Sequence, residues 1–148
     1  EPILEILGKN KIHCGGAGAG QAAKMCNNMM LGIQMSSVAE AFVLAESLGL
    51  DPQKLFDVSS SASGQCWSLT SYCPVPGLVP TSPSNNDYKA GFSTALMLKD
   101  MNLALDAAQS VGIDVSVAEG AEKIYHSYSK AGGDGKDFSG IIEHIRRK

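Results

Sequence analysis

The sequence has few of the residues that would indicate its chemistry directly. Its 148 residues include three histidines and four cysteines, with no HExxH segment and no CxxC pair. A metal site therefore has little support, and the scattered cysteines indicate free thiols in a reducing compartment. The net charge is -3 and no basic run is present. This composition argues against nucleic acid and anionic membrane surfaces as partners.

Charge is also absent from one long segment, which runs from Lys24 to Glu40 without a charged side chain between them. Its spacing predicts one helix of roughly 40 Å from Gly20 to Leu48. Apolar residues lie all round this helix, so we expect it to be buried on most sides. Polar residues such as Asn28 and Gln34 interrupt the run and argue against a membrane span. A central helix that also meets a partner subunit or domain fits the pattern better.

Further helices are predicted from apolar periodicity and from end signals. They cover residues 53–60, 93–111, 116–130 and 137–148, with a short helical turn at 66–70. Ser116 and Glu119 have capping-box spacing at the start of one of them. Residues 61–91 are irregular and rich in Ser, Pro, Gly and Asn, and the aromatic Trp67 and Tyr72 favour a functional segment over a disordered one. Strand signals are nearly absent after Cys14, so we predict an all-α bundle around the long helix.

The start of the long helix carries a candidate binding site. Glycines at 15–20 lead into a helix with Lys24 and Asn28 one turn apart, on the same face. An ammonium group beside an amide suits an oxygen-bearing small molecule. The positive end of the helix dipole disfavours the charged form of a lysine, which suits a lysine that exchanges a proton. The simpler interpretation is a lysine that reaches solvent. Asn27 is an alternative to Asn28, because spacing alone does not separate them.

A dinucleotide fingerprint is the rival interpretation of these glycines. In that motif glycines follow a strand, bind a pyrophosphate at a helix N-terminus, and precede a ribose-binding acid by about 20 residues. A strand-like segment, Lys11–Cys14, does precede the glycines. The helix then continues to Leu48, and no second strand with a terminal acid follows. The spacing therefore disfavours a nucleotide site built from these glycines alone.

Asp100 stands out because it falls on the apolar side of its predicted helix. The stripe that should face the core consists of Leu96, Met97, Leu103, Ala104, Ala107 and Val111. A carboxylate there must be paired or hydrogen-bonded, and a structural ion pair is the simplest interpretation. Lys99 falls on the polar face, and Phe92 lies two turns before it if the helix extends that far.

Four segments, taken in order, resemble the C-terminal domain of the β-hydroxyacid dehydrogenases. Gly16–Asn28 is similar to the catalytic segment of that family, and Lys99–Ala104 to its second signature. Phe92 matches a position near the nicotinamide, and Ser63–Trp67 with Tyr72–Gly77 resembles a loop of the hydroxyisobutyrate branch. The resemblance extends from residue 12 to the end of the chain. It implies the helical fold of the 6-phosphogluconate dehydrogenase C-terminal domain.

The resemblance also implies roles for individual residues. Lys24 corresponds to the catalytic lysine and Asn28 to the substrate-binding asparagine. Lys99 would reach the cofactor and substrate, Asp100 would support the substrate site, and Phe92 would lie by the cofactor. In the hydroxyisobutyrate branch, the tryptophan and tyrosine of the matching loop wall the substrate pocket. Those residues are Trp67 and Tyr72.

The activity that the resemblance implies is oxidation of a small 3-hydroxy acid with NAD. A succinic or tartronic semialdehyde reductase of the same family is one alternative, and a non-catalytic helical dimerisation module is another. The choice between NAD and NADP depends on a residue of the family's other domain. A eukaryotic protein of this kind would lie in the mitochondrial matrix and a bacterial one in the cytoplasm.

The family's domain organisation implies that this sequence is part of a longer chain. Residues 1–14 resemble the last helix and strand of a Rossmann domain that is otherwise not included. Residues 15–148 would form the catalytic, substrate-binding and dimerisation domain. We therefore expect its partners to be that Rossmann domain, a small hydroxy acid and, through the long helix, further copies in a homodimer or tetramer.

Overall fold

The computed structural model describes residues 10–147 and contains, within that range, six α-helices and no strand. The helices are α1 (Ala19–Ser47), α2 (Pro52–Ser60), α3 (Trp67–Thr70), α4 (Thr94–Ser110), α5 (Ser116–Tyr128) and α6 (Ile141–Arg146). Single turns of other types lie at Pro83–Asn86, Ser129–Gly133 and Phe138–Gly140. The prediction of an all-α bundle around one long helix is confirmed.

The strand predicted at Lys11–Cys14 is not formed, because these residues have no regular secondary structure. A strand needs a neighbour that completes its hydrogen bonds, and residues 10–147 supply none. The helix predicted before it falls within residues 1–9, outside the described range.

The capping box predicted at Ser116 and Glu119 is not formed, since the N-cap of α5 is Val115, whose side chain makes no capping hydrogen bond. Val115 packs against the core, and Ser116 is consequently the first helical residue.

Helix α1 lies at the centre of the bundle and contacts α4, α5 and α6. The core contains Met35, Ala39 and Phe42 of α1 together with Met97, Met101, Tyr125, Phe138, Ile141 and Ile142. By length and composition α1 could cross a membrane, yet it serves here as the core helix of the bundle. Only its second part is well buried. Cys26 is exposed and Met30 is 51% exposed, so the expected burial on most sides does not extend to the first turns.

Helix α4 crosses α1 closely at Gly32. A Cβ atom on Gly32 would lie 2.6 Å from the Met101 sulfur and 3.2 Å from the Met97 sulfur. Both methionines are fully buried, so a larger residue at position 32 would force their side chains to repack. The crossing also rotates α4 relative to the predicted stripe. Met101 points into the core, whereas the predicted core residues Leu96 and Leu103 are about half exposed.

The segment between α3 and α4 is fixed mainly by hydrogen bonds from side chains. The hydroxyls of Ser82 and Ser84 donate to the Cys73 carbonyl at 2.6 and 2.9 Å. Tyr88 donates from its hydroxyl to the Pro74 carbonyl at 2.8 Å. Its own backbone has φ 54, a left-handed conformation that is rare for an aromatic residue. The irregular segment is therefore packed into the bundle as a defined structure.

Alkaline pH should destabilise this fold. Burial raises the pKa of all four tyrosines above the ordinary value of about 10, and the carboxylates of Asp137 and Glu143 raise it further. The unfolded chain would then release tyrosine protons that the folded chain retains. Stability should be intact below about pH 10 and decline above it. Urea denaturation beside a spectroscopic titration of tyrosinate would measure this, and four tyrosines ionising at the ordinary value would contradict it.

Candidate active site

The predicted polar residues meet at one buried carboxylate. Asp100 of α4 is 5% exposed, and its Oδ2 accepts a hydrogen bond from Asn28 Nδ2 of α1 at 2.6 Å. Lys24 Nζ lies 3.7 Å from the same oxygen, and Lys99 Nζ lies 3.5 Å from Oδ1. The interpretation of Asp100 as a paired carboxylate is confirmed. The lysine side chains are 70% and 60% exposed, so these ion pairs are screened by solvent and add little stability.

The two neighbouring asparagines occupy different environments. Asn28 is half-buried and contacts Asp100, whereas Asn27 is exposed and donates only to Asn28 Oδ1, at 3.3 Å. Asn28 therefore lies on the side of α1 that carries Lys24 and faces Asp100. Helical spacing left open whether Asn27 or Asn28 is the amide with a buried partner, and in the structure it is Asn28.

A cavity of about 420 Å³ adjoins Asn28 and is largely aromatic. Its lining residues are Asn28, Leu31, Trp67, Tyr72, Gly91, Phe92 and Phe138. The Trp67 and Tyr72 rings stack at 5.0 Å, and Tyr72 stacks on Phe138 at 5.4 Å. Phe92 meets Phe138 edge-on at 5.6 Å. We call Trp67, Tyr72, Phe92 and Phe138 the aromatic wall.

The structure thus places the predicted residues in two adjoining groups. The charged cluster consists of Lys24, Asn28, Lys99 and Asp100. The predicted residues Trp67, Tyr72 and Phe92 belong to the aromatic wall, and Asn28 links the two groups because it also lines the cavity. Phe92 reaches the cavity from the turn before α4 and not from within the helix, because Ser93 is the N-cap.

Three lining residues were missed by sequence reasoning. Leu31 follows Asn28 by three positions on the same helical face, so its position was available from the spacing. Gly91 and Phe138 gave no local signal. They reach the cavity through contacts between segments about 45 residues apart, of which the Phe138 amide to Phe92 carbonyl bond at 2.9 Å is one.

The cavity combines an apolar wall with a few converging polar groups, the usual pattern of a small-molecule site. The Asn28 amide and the ammonium groups can bind hydroxyl and carboxylate oxygens, and the rings can exclude water from an apolar carbon chain. Burial and the neighbouring Asp137 carboxylate raise the pKa of Tyr72 well above its usual range. Its hydroxyl therefore stays protonated and acts as a donor near neutral pH.

The described residues fit only part of a nicotinamide dinucleotide. Phe92 lines the cavity, and Lys99 lies in the adjoining charged cluster, with its Nζ 3.5 Å from Asp100 Oδ1. Gly18, with φ 87, leads directly into the 29 residues of α1, and the described chain forms no strand–turn–helix unit for a pyrophosphate. Among residues 10–147 no three His, Cys, Asp or Glu side chains are grouped to hold a metal ion.

Comparison with known proteins identifies the family. The family model described as "NAD-binding of NADP-dependent 3-hydroxyisobutyrate dehydrogenase" matches residues 18–145. The chain belongs to this family. It is 53% identical to the probable 3-hydroxyisobutyrate dehydrogenase of Mycobacterium tuberculosis, over 99% of this chain and 50% of that protein. It is 43% identical to the human mitochondrial 3-hydroxyisobutyrate dehydrogenase, over 100% of this chain and 44% of that protein.

Solved structures agree with this assignment to the 3-hydroxyisobutyrate dehydrogenase family. The M. tuberculosis 3-hydroxyisobutyrate dehydrogenase, solved with L-serine, has a TM-score of 0.94 and 54% identity, over 98% of this chain and 50% of that one. A Salmonella typhimurium 3-hydroxyisobutyrate dehydrogenase, at 24% identity and a TM-score of 0.83, shares the fold. It aligns over 97% of this chain and 48% of its own. The chain spans about half the length of the curated relatives it matches.

Replacing Asn28 by alanine should destabilise the chain, because Asp100 would keep its burial and lose its amide donor. We expect the free energy of unfolding to fall by about 1.5 kcal/mol, the lower range for a hydrogen bond to a charged group. Asn27→Ala is the matched control and should change it by less than about 0.5 kcal/mol. Urea denaturation of both variants measures the difference. Equal losses at the two positions would show that the contact with Asp100 contributes nothing specific.

Proposed function

We propose that this chain is the catalytic half of an NAD-dependent 3-hydroxyisobutyrate dehydrogenase. The reaction is oxidation of 3-hydroxyisobutyrate to methylmalonate semialdehyde, a step of valine breakdown. The observation that carries the proposal is the convergence of Lys24 and Asn28 on Asp100 beside an aromatic cavity. The names of its relatives support the substrate, and the family description supports a nicotinamide cofactor.

In this proposal Lys24 is the general base. Its amine, in the neutral form, takes the proton of the substrate hydroxyl as the O–H bond breaks and the C=O bond forms. A nicotinamide held at its ring end by Lys99 and Phe92 would supply the hydride acceptor for the hydroxyl-bearing carbon. Asn28 holds a substrate oxygen within reach of Lys24. Asp100 stabilises the ammonium group formed on Lys24, since its Oδ2 lies 3.7 Å from Nζ.

The remaining site residues bind and orient. Lys99 and Phe92 contact the nicotinamide end of the cofactor. Trp67 and Tyr72 enclose the methyl-branched carbon of the acid, which suits stacked rings better than a second carboxylate or a hydroxyl does. The wall therefore favours hydroxyisobutyrate over the succinic and tartronic semialdehydes, and kinetic comparison of these substrates distinguishes them.

A non-catalytic assembly module is the alternative of another class. Such a module needs the apolar surface of α1 but has no use for two lysines and an asparagine around a buried carboxylate. The charged cluster therefore favours the enzyme.

The exposed apolar part of α1, which includes Met30, is the surface through which we propose that copies of the enzyme form a dimer or tetramer. By analogy with relatives named mitochondrial, we propose a mitochondrial location in a eukaryote and a cytoplasmic one in a bacterium.

Lys24→Ala, tested in this sequence joined to its nucleotide-binding half, should lower kcat by about 100- to 10,000-fold, the span of a positioned acid or base. Cofactor affinity should change little, because Lys24 is assigned to the hydroxyl group. Steady-state kinetics and cofactor titration measure the two quantities.

Lys123 provides the matched control for this substitution. It is an exposed lysine of α5, and Lys123→Ala should leave kcat unchanged. Near-normal turnover in Lys24→Ala would refute the assignment of the general base and leave Lys99 as the candidate amine.

The 148-residue chain alone should neither bind NAD at micromolar concentration nor oxidise 3-hydroxyisobutyrate. We propose that the pyrophosphate and adenosine contacts come from a Rossmann domain that ends at about residue 14, as the roughly twofold greater length of the relatives suggests. Contacts at the nicotinamide end alone are too few to offset the entropy lost on binding. Calorimetric titration of NAD, with the joined enzyme as positive control, tests this. Saturable micromolar binding by the chain alone would overturn it.

A further inference from the structure

A second carboxylate, Asp137, is completely buried behind the aromatic wall. Its Oδ2 accepts three hydrogen bonds, each 3.0 Å long, from the Tyr72 hydroxyl and the backbone amides of Gly91 and Phe92. Its Oδ1 accepts two from Ser139, at 3.0 Å from the amide and 2.7 Å from the hydroxyl. Each of the two oxygens accepts from at least one backbone amide, which can only donate, so an amide side chain does not fit this position.

The bonds to Oδ2 all lead to the cavity. Tyr72 stacks between Trp67 and Phe138, and Phe92 packs edge-on against Phe138. One oxygen atom therefore fixes the hydroxyl of one wall residue and the backbone of another. The bonds to Oδ1 come from Ser139, in the turn Phe138–Gly140 that precedes α6, and they involve neither Tyr72 nor the backbone of Phe92.

Gly91 has no side chain at the point where the Tyr72 hydroxyl approaches Asp137. A Cβ atom there would lie 2.8 Å from the Tyr72 hydroxyl oxygen and 3.7 Å from Asp137 Oδ2, with no other atom within 4 Å. The glycine thus leaves room for the hydroxyl to reach the carboxylate. A methyl group at position 91 would meet the Tyr72 oxygen and nothing else at close range.

We propose that Asp137 is a positioning residue, which holds Tyr72 and Phe92 in the aromatic wall of the substrate cavity. Through these two residues it sets the preference for a small hydroxy acid with a branched carbon chain. The claim about substrate preference rests on the proposed function, whereas the claim about positioning does not. Asp137 lines neither the cavity nor the charged cluster, so its effect on a substrate passes through the residues it holds.

The first test uses the 148-residue chain and needs no activity. Trp67 is the single tryptophan and is 50% exposed, so its fluorescence reports on the wall directly. In Asp137→Asn, acrylamide quenching should rise toward about twofold, the limit set by full exposure of a half-exposed indole. Tyr72→Phe, which keeps the ring and removes the hydroxyl, should give an intermediate rise. It remains informative if Asp137→Asn does not fold.

Two further variants separate positioning from general stability. Ser139→Ala removes a hydrogen bond from the Oδ1 side of Asp137, so it should lower the melting temperature without changing the quenching of Trp67. Gly91→Ala should raise quenching in the native background and have no effect in the Tyr72→Phe background, where the clashing oxygen is gone. Unchanged quenching in Tyr72→Phe and Gly91→Ala would overturn the proposal, as would an equal effect of Ser139→Ala.

The second test measures selectivity in this sequence joined to its nucleotide-binding half. The native enzyme should prefer 3-hydroxyisobutyrate to the unbranched 3-hydroxypropionate by roughly 10-fold or more, the usual value of one carbon in an apolar pocket. Tyr72→Phe and Gly91→Ala should reduce this preference through KM more than through kcat, and Ser139→Ala should preserve it. If Tyr72→Phe and Gly91→Ala both kept the native preference, the proposed role of Asp137 in substrate selectivity would be overturned. Failure of the native enzyme to oxidise either acid would instead refute the proposed function and leave the fluorescence result standing.

Discussion

The close crossing of α1 and α4 is the contact on which the site depends. Gly32 lets Met97 and Met101 pack against the α1 backbone, and a side chain at that position would displace the Met101 sulfur from this contact. Asn28 lies one turn before Gly32, and Asp100 lies next to Met101. The 2.6 Å contact between the amide and the carboxylate is thus a consequence of how tightly the helices pack. The aromatic cavity opens beside Asn28 and is lined by α1, α3 and the irregular segments that precede α4 and α6.

Two buried carboxylates serve this region in opposite ways. Asp100 is surrounded by the ends of long side chains, two of them exposed ammonium groups that solvent screens and that can change position. Asp137 accepts from the backbone amides of Gly91 and Phe92, which cannot move without moving the chain, and from the hydroxyls of Tyr72 and Ser139. The first arrangement is suited to a group that responds to a bound charge. The second is suited to holding geometry constant.

The parts of this structure that depend on short-range periodicity were predictable from the sequence. The long helix, the shared face of Lys24 and Asn28, and the inward position of Asp100 all follow from helical spacing. The predicted strand at Lys11–Cys14 failed because a strand is stabilised by a neighbour that local sequence does not specify.

The residues contributed by distant segments were not predictable in this way. Gly91 and Asp137 are 46 positions apart, and nothing near either residue in the sequence indicates that the two meet. The apolar face of α4 was predicted only in part, since Met97 is buried as expected but Met101 turns inward in place of Leu103. The charged cluster and the aromatic wall come from different segments, and Asn28 alone belongs to the cluster and also lines the cavity. Substitutions in the segment between α3 and α4 can therefore reshape the pocket while the residues assigned to proton transfer keep their framework, so the shape of the pocket and its proton chemistry can vary independently.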